Sequence, residues 1–295
     1  MNVLCVGETR LDTIMNVDGY IKENTNNTIK AKKVVPGGCA FISSVLLSNW
    51  GHNTYLVSSI GSDDKSNIIM DYLSNYEVDT SYLDRSGSTK ESYVIVNNYN
   101  SSKTIINGIY SDTFNKYDYI EPDVILMDGS NYKASNYLIN KYKDKIKIIK
   151  ASEVNESVTK LCKLSDYIVC DKSFAEIASR ERINYDIPDT LKSVINKLEN
   201  MYNASIIITL GEKGTLYKVD DKIKVMGSIK VKCSSVINPL DVYFSAFSYG
   251  ICEGLELEKA LKIATISAGL SLKNNSEVLS IPDIREVHKI YGKNK

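Results

Sequence analysis

The sequence predicts an α/β fold in which helices cover both faces of a mostly parallel sheet. Short continuous apolar runs, such as Val3–Val6 and Val124–Met127, are typical of buried parallel strands. Helical patterns alternate with these runs; Cys39–Asn49 and Leu257–Leu272 are the most apolar of them. Strands that alternate with helices along a chain favour a parallel sheet with right-handed crossovers.

The composition limits the classes of protein that need to be considered. The chain has 295 residues, of which 43% are hydrophobic, so it can bury a large core. Lys+Arg and Asp+Glu balance at 36 each, which gives no indication of a nucleic-acid or anionic-membrane partner. No apolar run approaches the roughly 20 residues of a membrane span, and the start MNVLCVG does not resemble a signal peptide. The six scattered cysteines suit a reducing compartment, so we expect a cytoplasmic protein without nucleic-acid or membrane partners.

Two segments break the strand–helix alternation. Residues from about 13–35 and 92–107 interleave apolar and polar side chains in short runs, which is typical of partly exposed strands. They are expected to pair into a small accessory sheet inserted in a single domain that covers residues 1–295. Such a sheet could act as a lid over a site or could be an edge hairpin without a gating role.

Several polar residues and glycines follow predicted strands directly. Asp12 comes shortly after the first strand, and the pair Gly37-Gly38 precedes the first helix. The strand Ser205–Thr209 delivers a second turn, Leu210–Gly214. Ligands bind at the carboxyl edge of open α/β sheets, and glycines there let a backbone approach a ligand closely. For Asp12, a ligand-facing carboxylate and a solvated loop residue both remain open.

Val231–Gly250 contains the residue with the greatest chemical interest. A turn at 238–240 is followed by Asp241 and then by a helical run from Val242 to Gly250. A helix N-terminus offers unpaired N–H groups and a partial positive charge, so it can hold an anion such as phosphate. Asp is also a common N-cap. From this stretch alone, Asp241 is either a cap or a reactive carboxylate beside an anion site.

Taken in order, these motifs resemble the PfkB, or ribokinase-like, family of carbohydrate and nucleoside kinases. Five segments match across nearly the whole chain: Gly7–Asp12, Pro36–Gly51, Gly61–Asp64, Thr209–Gly214 and Val231–Gly250. The resemblance implies a ribokinase-like three-layer α/β/α sandwich with a mostly parallel central sheet and a small β-sheet lid. The lid often forms a dimer surface in this family, so the resemblance also implies a homodimer through the lid.

The resemblance implies a function as well: transfer of the ATP γ-phosphoryl group to a hydroxyl of a sugar or similar small molecule, with Mg²⁺. Asp241 occupies the position of the catalytic base. Four residues match acceptor-binding positions: Asp12, Gly37, Gly38 and Ile42. Six match nucleotide-binding positions: Thr209, Gly211, Gly214, Asn238, Leu240 and Asn275. Asp171 stands where the family supports Mg²⁺.

Some residues depart from the family pattern at functional positions. Asn238 and Leu240 replace two glycines whose N–H groups form the anion hole, and Pro239 between them has no N–H to donate. Phe174 stands where a glutamate is expected to support the metal. Two hypotheses therefore remain: a divergent kinase, or a catalytically impaired member that binds a ligand or a partner. A Rossmann oxidoreductase is disfavoured, because no G-x-G-x-x-G follows the first strand.

Overall fold

A central sheet runs through the middle of the molecule. The computed structural model describes residues 1–110, 113–229, 231, 238–273 and 279–293. Within them, nine strands form the sheet in the order β13-β12-β11-β10-β9-β8-β1-β4-β5. These strands are β1 (Asn2–Val6), β4 (Asn53–Ile60), β5 (Leu83–Arg85), β8 (Val124–Met127), β9 (Ile146–Ala151), β10 (Tyr167–Asp171), β11 (Ser205–Thr209), β12 (Thr215–Val219) and β13 (Lys222–Met226). The pairs from β11 to β5 are parallel, and β12 and β13 extend the sheet as an antiparallel hairpin.

Helices cover both faces of this sheet. One layer, together with the sheet face beneath it, contains α1 (Cys39–Asn49), α2 (Asp64–Asn75), α7 (Pro239–Cys252), α8 (Leu257–Ser271) and α9 (Ile284–Lys293). The other contains α3 (Tyr132–Lys141), α4 (Glu156–Cys162), α5 (Lys172–Ser179) and α6 (Pro188–Tyr202). Alternate residues of a strand point to opposite layers: Ile148 packs on the α7 side and Ile149 on the α3–α6 side. The predicted α/β fold with covered faces is confirmed.

A second, four-stranded sheet has the order β3-β2-β6-β7. Its strands are β2 (Arg10–Val17), β3 (Ile29–Gly37), β6 (Glu91–Asn97) and β7 (Lys103–Asn107). They come from the two segments predicted to form an accessory sheet. The central strands β2 and β6 pair in parallel with Asp12 opposite Ser92, and Ile14, Val35, Val94 and Val96 form a small core of their own. We refer to this sheet as the lid sheet.

The strand order reverses at β1. From β1 the chain proceeds to β4 and β5 on one side, and later strands from β8 onward are added on the other. In open α/β sheets a crevice opens at the carboxyl ends of the strands at such a switch point, and ligands bind there. β2, β3 and α1 all start or end next to this edge, so the candidate site lies between the sheet edge, the lid sheet and α1.

Some predicted boundaries need correction. The helix predicted from Val242 to Gly250 begins three residues earlier, at Pro239. Proline suits the first position of a helix, because its fixed φ is helical and its missing N–H would have had no partner there. The short helix predicted from Asn67 to Leu73 extends from Asp64 to Asn75. Among the described residues, no helix combines the length and apolar character needed to cross a membrane.

Candidate active site

Asp241 lies in the first turn of α7 and forms a buried ion pair with Lys150. Asp241 Oδ1 accepts a hydrogen bond from Lys150 Nζ, and both residues are at least nine-tenths buried. Burial, the largest single influence, lowers the pKa of the Lys150 ammonium, but the charge of Asp241, the hydrogen bond to it and the nearby Cys39 and Asp128 together raise the pKa above its usual value. Lys150 is therefore charged at neutral pH and compensates the charge of Asp241 inside the protein.

Sequence reasoning missed Lys150. It lies one residue before the end of β9, on the same face of the strand as Ile148, which packs toward α7. A signal was present: a single lysine follows the apolar pair Ile148-Ile149 at the carboxyl end of a buried strand. The same signal pointed to Asp12. A basic residue at such a strand end was not considered as a site residue. The partner of Lys150 lies 91 residues further along the chain, so the ion pair leaves no local pattern.

The N-cap of α7 is Asn238 and not Asp241, which corrects one of the two interpretations of Asp241. Asn238 Oδ1 accepts from the N–H of Leu240 at 3.2 Å, and the Asn238 carbonyl accepts from the N–H of Asp241 at 3.0 Å. Pro239 has no N–H. In the described residues 239–241, every backbone N–H that exists therefore already has a partner within the chain.

A chain of hydroxyl groups connects the helix that carries Asp241 to α1. Ser245 Oγ donates to the carbonyl of Asp241 at 2.7 Å and lies 2.8 Å from Ser43 Oγ. Because the Ser245 proton is used on Asp241, Ser43 must be the donor to Ser245. All three residues are buried. The contact fixes the first turn of α7 relative to the second turn of α1.

The paired glycines are required by the close packing around the start of α1. Gly38 is the N-cap of α1 at φ +98°, and a Cβ there would lie 2.2 Å from the Glu8 carbonyl oxygen. A Cβ on Gly37 would lie 2.3 Å from Asp12 Oδ2. The glycines thus let β1, β2 and α1 meet closely and place the Asp12 carboxylate against the backbone at Gly37.

Asp12 lies in β2, on the lid sheet, and faces the same region as Asp241. Its Oδ1 accepts from Arg10 Nε at 2.7 Å, and Arg10 also pairs with Glu8. Burial raises the pKa of Asp12 above its usual value although Arg10 acts in the opposite direction, and the charge of Asp241 adds to the rise. The two carboxylates therefore interact electrostatically. A ligand hydroxyl between them would have two carboxylates available as acceptors.

Two buried hydroxyl groups near Asp12 have no hydrogen-bond partner among the described residues. They belong to Thr9, beside Arg10, and Ser92, opposite Asp12 in the β2–β6 register. Buried polar groups are normally paired, so an orphan pair beside a carboxylate suits a polar ligand. Ile42, predicted to contact the acceptor, is 2% exposed and packs in the core of α1.

The predicted nucleotide turn follows β11. Thr209 Oγ1 donates to the Cys170 carbonyl at 3.2 Å, which joins β11 to β10. A single 3₁₀ turn begins at Gly211 and is followed by Gly214, and both glycines have positive φ. A Cβ on Gly214 would lie 1.9 Å from the Met226 carbonyl oxygen. A Cβ on Gly211 would meet nothing within 4 Å, so the turn is open on that side. Asn275, the remaining predicted nucleotide residue, lies outside the described residues.

Asp171, predicted to support a metal ion, is the N-cap of α5. Its Oδ1 accepts from the N–H of Phe174 at 2.7 Å, and it lies opposite Thr209 in the β10–β11 register. The described residues contain no group of three His, Cys, Asp or Glu side chains that could hold a metal ion. Mg²⁺ commonly keeps several waters and binds one or two carboxylates plus substrate phosphates, so this region fits Mg²⁺ bound through a nucleotide better than a preformed metal site.

The fold and the site together define a class of protein. It is a three-layer α/β protein with a carboxylate on a helix and a glycine-containing turn at the carboxyl edge of its sheet. Sites of this kind suit small-molecule ligands. Residues 1–284 match the family described as pfkB family carbohydrate kinase, and the chain belongs to this family. The predicted family is confirmed.

Named relatives extend over most of the chain. Ribokinase of Staphylococcus aureus (strain COL) is 20% identical over 302 residues, which cover 98% of this chain and 99% of that protein. The nucleoside kinase of Methanocaldococcus jannaschii is 24% identical over 297 residues, which cover 95% and 93%. The structure of Arabidopsis thaliana ribokinase complexed with ribose and ATP aligns with a TM-score of 0.79 at 16% identity, covering 98% of this chain and 97% of that one. The ribokinase-like sandwich is thereby confirmed as the fold.

Proposed function

We propose that this protein is an ATP-dependent phosphotransferase that acts on a hydroxyl group of a sugar or similar small molecule. The observation that carries the proposal is the position of Asp241. It lies in the first turn of α7, at the sheet edge, and interacts electrostatically with Asp12 on the lid sheet. A hydroxyl held between these carboxylates would lie beside a helix N-terminus, where a phosphoryl group is favoured.

Asp241 serves as the base in this proposal, and Asp12 orients the acceptor. Phosphoryl transfer needs mainly positioning, charge neutralisation and one group that accepts the hydroxyl proton. The orphan hydroxyls of Ser92 and Thr9 supply further hydrogen bonds to a polyhydroxy acceptor. The buried side chain of Ile42 supports the first helix from the core side. The family resemblance assigns Ile42 to the acceptor pocket, and that assignment remains a prediction.

The turn Thr209–Gly214 binds the nucleotide in this proposal, together with Asn238, Leu240 and Asn275. Gly211 leaves room for a ligand, while the hydrogen bond from Leu210 N to Gly214 O at 2.7 Å fixes the turn. Mg²⁺, when bound with the nucleotide phosphates, would neutralise their charge; Asp171 is the protein residue proposed to support it. A ribose-and-ATP complex is known for the Arabidopsis relative.

A second candidate function is a binding protein with impaired catalysis. Two observations favour it: the N–H groups of Leu240 and Asp241 are already hydrogen-bonded within the chain, and Asp241 is paired with Lys150. Such a protein would bind a ligand or partner at the same site without efficient transfer.

The deciding experiment measures ADP release from Mg-ATP over a panel of pentoses, hexoses and nucleosides, with thermal shifts recorded in parallel. Turnover with one acceptor, abolished in Asp241→Asn at a temperature at which thermal unfolding shows that the variant is still folded, is the expected result. Turnover that survives in Asp241→Asn would show that Asp241 is not the base. A thermal shift without turnover over the whole panel would favour the binding protein. Omission of Mg²⁺ tests the metal requirement in the same assay.

We also propose that residues 1–295 form one domain whose lid sheet mediates a homodimer. The register places Val34, Tyr93 and Ile106 on the same side of the lid sheet, and they are 40%, 41% and 53% exposed. Aligned apolar side chains on an exposed sheet favour self-association.

A further inference from the structure

We propose that Lys150 binds the phosphoryl group during transfer and supplies positive charge where the start of α7 offers few N–H donors. This inference rests on the proposed function. It assigns a positioning and charge-neutralising role to a residue on β9, outside the motifs that carry the family resemblance.

The position of Lys150 supports this role. Its ammonium contacts the carboxylate of Asp241, so any hydroxyl that approaches Asp241 also approaches Lys150. Among the described residues, Asp241 is the only hydrogen-bond partner of this ammonium. A lysine ammonium carries three N–H donors, so two remain for an incoming anion.

The start of α7 creates the need for such a cation. Pro239 has no N–H to donate, and the N–H of Leu240 is hydrogen-bonded to the Asn238 side chain at 3.2 Å. Backbone N–H groups at this helix end could therefore give a phosphoryl group less support than a glycine-rich turn would. A buried ammonium provides a stronger, charge-assisted hydrogen bond at the same place.

The charges balance through the reaction. The acceptor hydroxyl passes its proton to the Asp241 carboxylate, and its oxygen forms a bond to the γ-phosphorus. The bond from that phosphorus to the bridging oxygen breaks, and ADP leaves. Once Asp241 is neutral, the Lys150 ammonium has lost its counter-charge. The transferred phosphoryl group, which is anionic, then becomes its partner.

The test compares the binding of a non-hydrolysable ATP analogue with that of ADP, by calorimetry in the presence of Mg²⁺. Lys150→Met is expected to weaken the analogue about tenfold, the value of one charge-assisted hydrogen bond, and to change ADP affinity little. Lys150→Arg should recover part of the loss. Lys147→Met is the matched control: Lys147 is also a buried lysine on β9, but its Nζ donates to the carbonyls of Lys143 and Lys145. It should leave both affinities unchanged.

Equal loss of analogue and ADP affinity, or no loss of either, in Lys150→Met would overturn the inference. If the wild-type protein binds neither nucleotide, the proposed function is contradicted and this inference with it. If the wild-type protein binds the analogue and Lys150→Met binds it equally well, only the role of Lys150 is contradicted.

Lys150→Met leaves the Asp241 carboxylate buried without its partner, and Asp241→Asn does the same to the Lys150 ammonium, so each single variant is destabilised. The double variant buries neither charge unpaired and provides a second comparison. Asp241→Asn should bind the analogue at least as tightly as the wild-type protein, since the ammonium is released from its counter-charge. Adding Lys150→Met, which leaves no unpaired charge, should then weaken binding about tenfold. An unchanged affinity in the double variant would overturn the inference.

Discussion

The hydroxyl of Ser43 in α1 donates to the hydroxyl of Ser245 in α7, with the two oxygens 2.8 Å apart in a buried contact. Ser245 in turn donates to the Asp241 carbonyl at 2.7 Å. The helix that follows the glycine pair is thus joined by two hydrogen bonds to the helix turn that carries the proposed base.

We predict that Ser245→Ala lowers the free energy of unfolding by about 1–3 kcal/mol, because Ser43 is left buried without its acceptor. It should also lower kcat more than it raises KM, since Asp241 loses a contact that fixes its turn. Ser248→Ala is the matched control: among the residues that the structure describes, its hydroxyl hydrogen-bonds within α7 alone, to Phe244 O at 2.8 Å. Denaturant unfolding and steady-state kinetics would check this, and equal effects of both variants would contradict it.

Gly38→Ala is expected to destabilise the protein more than Gly51→Ala. Both glycines have positive φ, +98° and +97°, so both substitutions carry backbone strain of about 1–3 kcal/mol. Only at Gly38 would the new Cβ also lie 2.2 Å from the Glu8 carbonyl oxygen; at Gly51 it would meet nothing within 4 Å. Urea unfolding of the two variants isolates the effect of the close packing. A larger loss of unfolding free energy in Gly51→Ala than in Gly38→Ala would show that the packing around Gly38 relaxes easily.

Stability should fall as the pH is lowered, in part because of His52. Burial, followed by the nearby N-terminal amine, lowers the pKa of this histidine, although Glu253 acts against it. The unfolded chain therefore binds a proton more strongly than the folded protein. The stability contributed by neutral His52 is complete above about pH 6.5 and is lost as the pH falls toward the lower folded pKa.

His52→Gln should accordingly reduce the slope of unfolding free energy against pH over about pH 5–7. His288→Gln, at an exposed position on α9, is the control and should retain the wild-type slope. Urea unfolding at several pH values provides the measurement. A His52→Gln variant with the full slope would assign the acid sensitivity to other groups.

Tyr93→Lys is predicted to convert a lid-mediated dimer to a monomer. The change places a charge between Val34 and Ile106 in the row of exposed apolar side chains, where a dimer would have to desolvate it. Analytical ultracentrifugation reads out the assembly directly. Tyr99→Lys, at a 78% exposed tyrosine in the turn between β6 and β7, is the control. A wild-type protein that sediments as a monomer would contradict the dimer.

Local sequence patterns predicted the helices and strands well where the side chains are buried along the whole element. Helix α1 has the predicted limits, Cys39 and Asn49, because apolar side chains surround it and glycines flank it. Strands β1, β10 and β11 follow from apolar runs that parallel sheets require. Helices α3 to α5 were not predicted; they are short, and polar residues dominate sequences such as Tyr132–Lys141. Their helical state depends more on packing against the sheet than on their own pattern.

The sequence indicated candidate residues for the site but not the contacts that they make. The order of motifs indicated Asp12 and Asp241, and the charge of Asp241 contributes to the raised pKa of Asp12. The Lys150–Asp241 pair could not be predicted, since it depends on the register of β9 beneath a helix far along the chain. The assignment of Asn238 as the cap could have been made, because proline at 239 marks the first helical position.

The pairing of the lid sheet has a consequence for how the chain folds. Strand β2 hydrogen-bonds in parallel to β6, with residue 12 opposite residue 92, so the two partners are separated by 80 residues. Closing so long a loop is entropically costly, and contacts of this kind form slowly. At roughly 5–20 residues per second of synthesis, β2 and β3 leave the ribosome several seconds before β6 exists. The hairpin that carries Asp12 therefore has an unpaired β2 edge until β6 is made, and the proposed acceptor side of the site is completed only after β4, α2 and β5 have been synthesised.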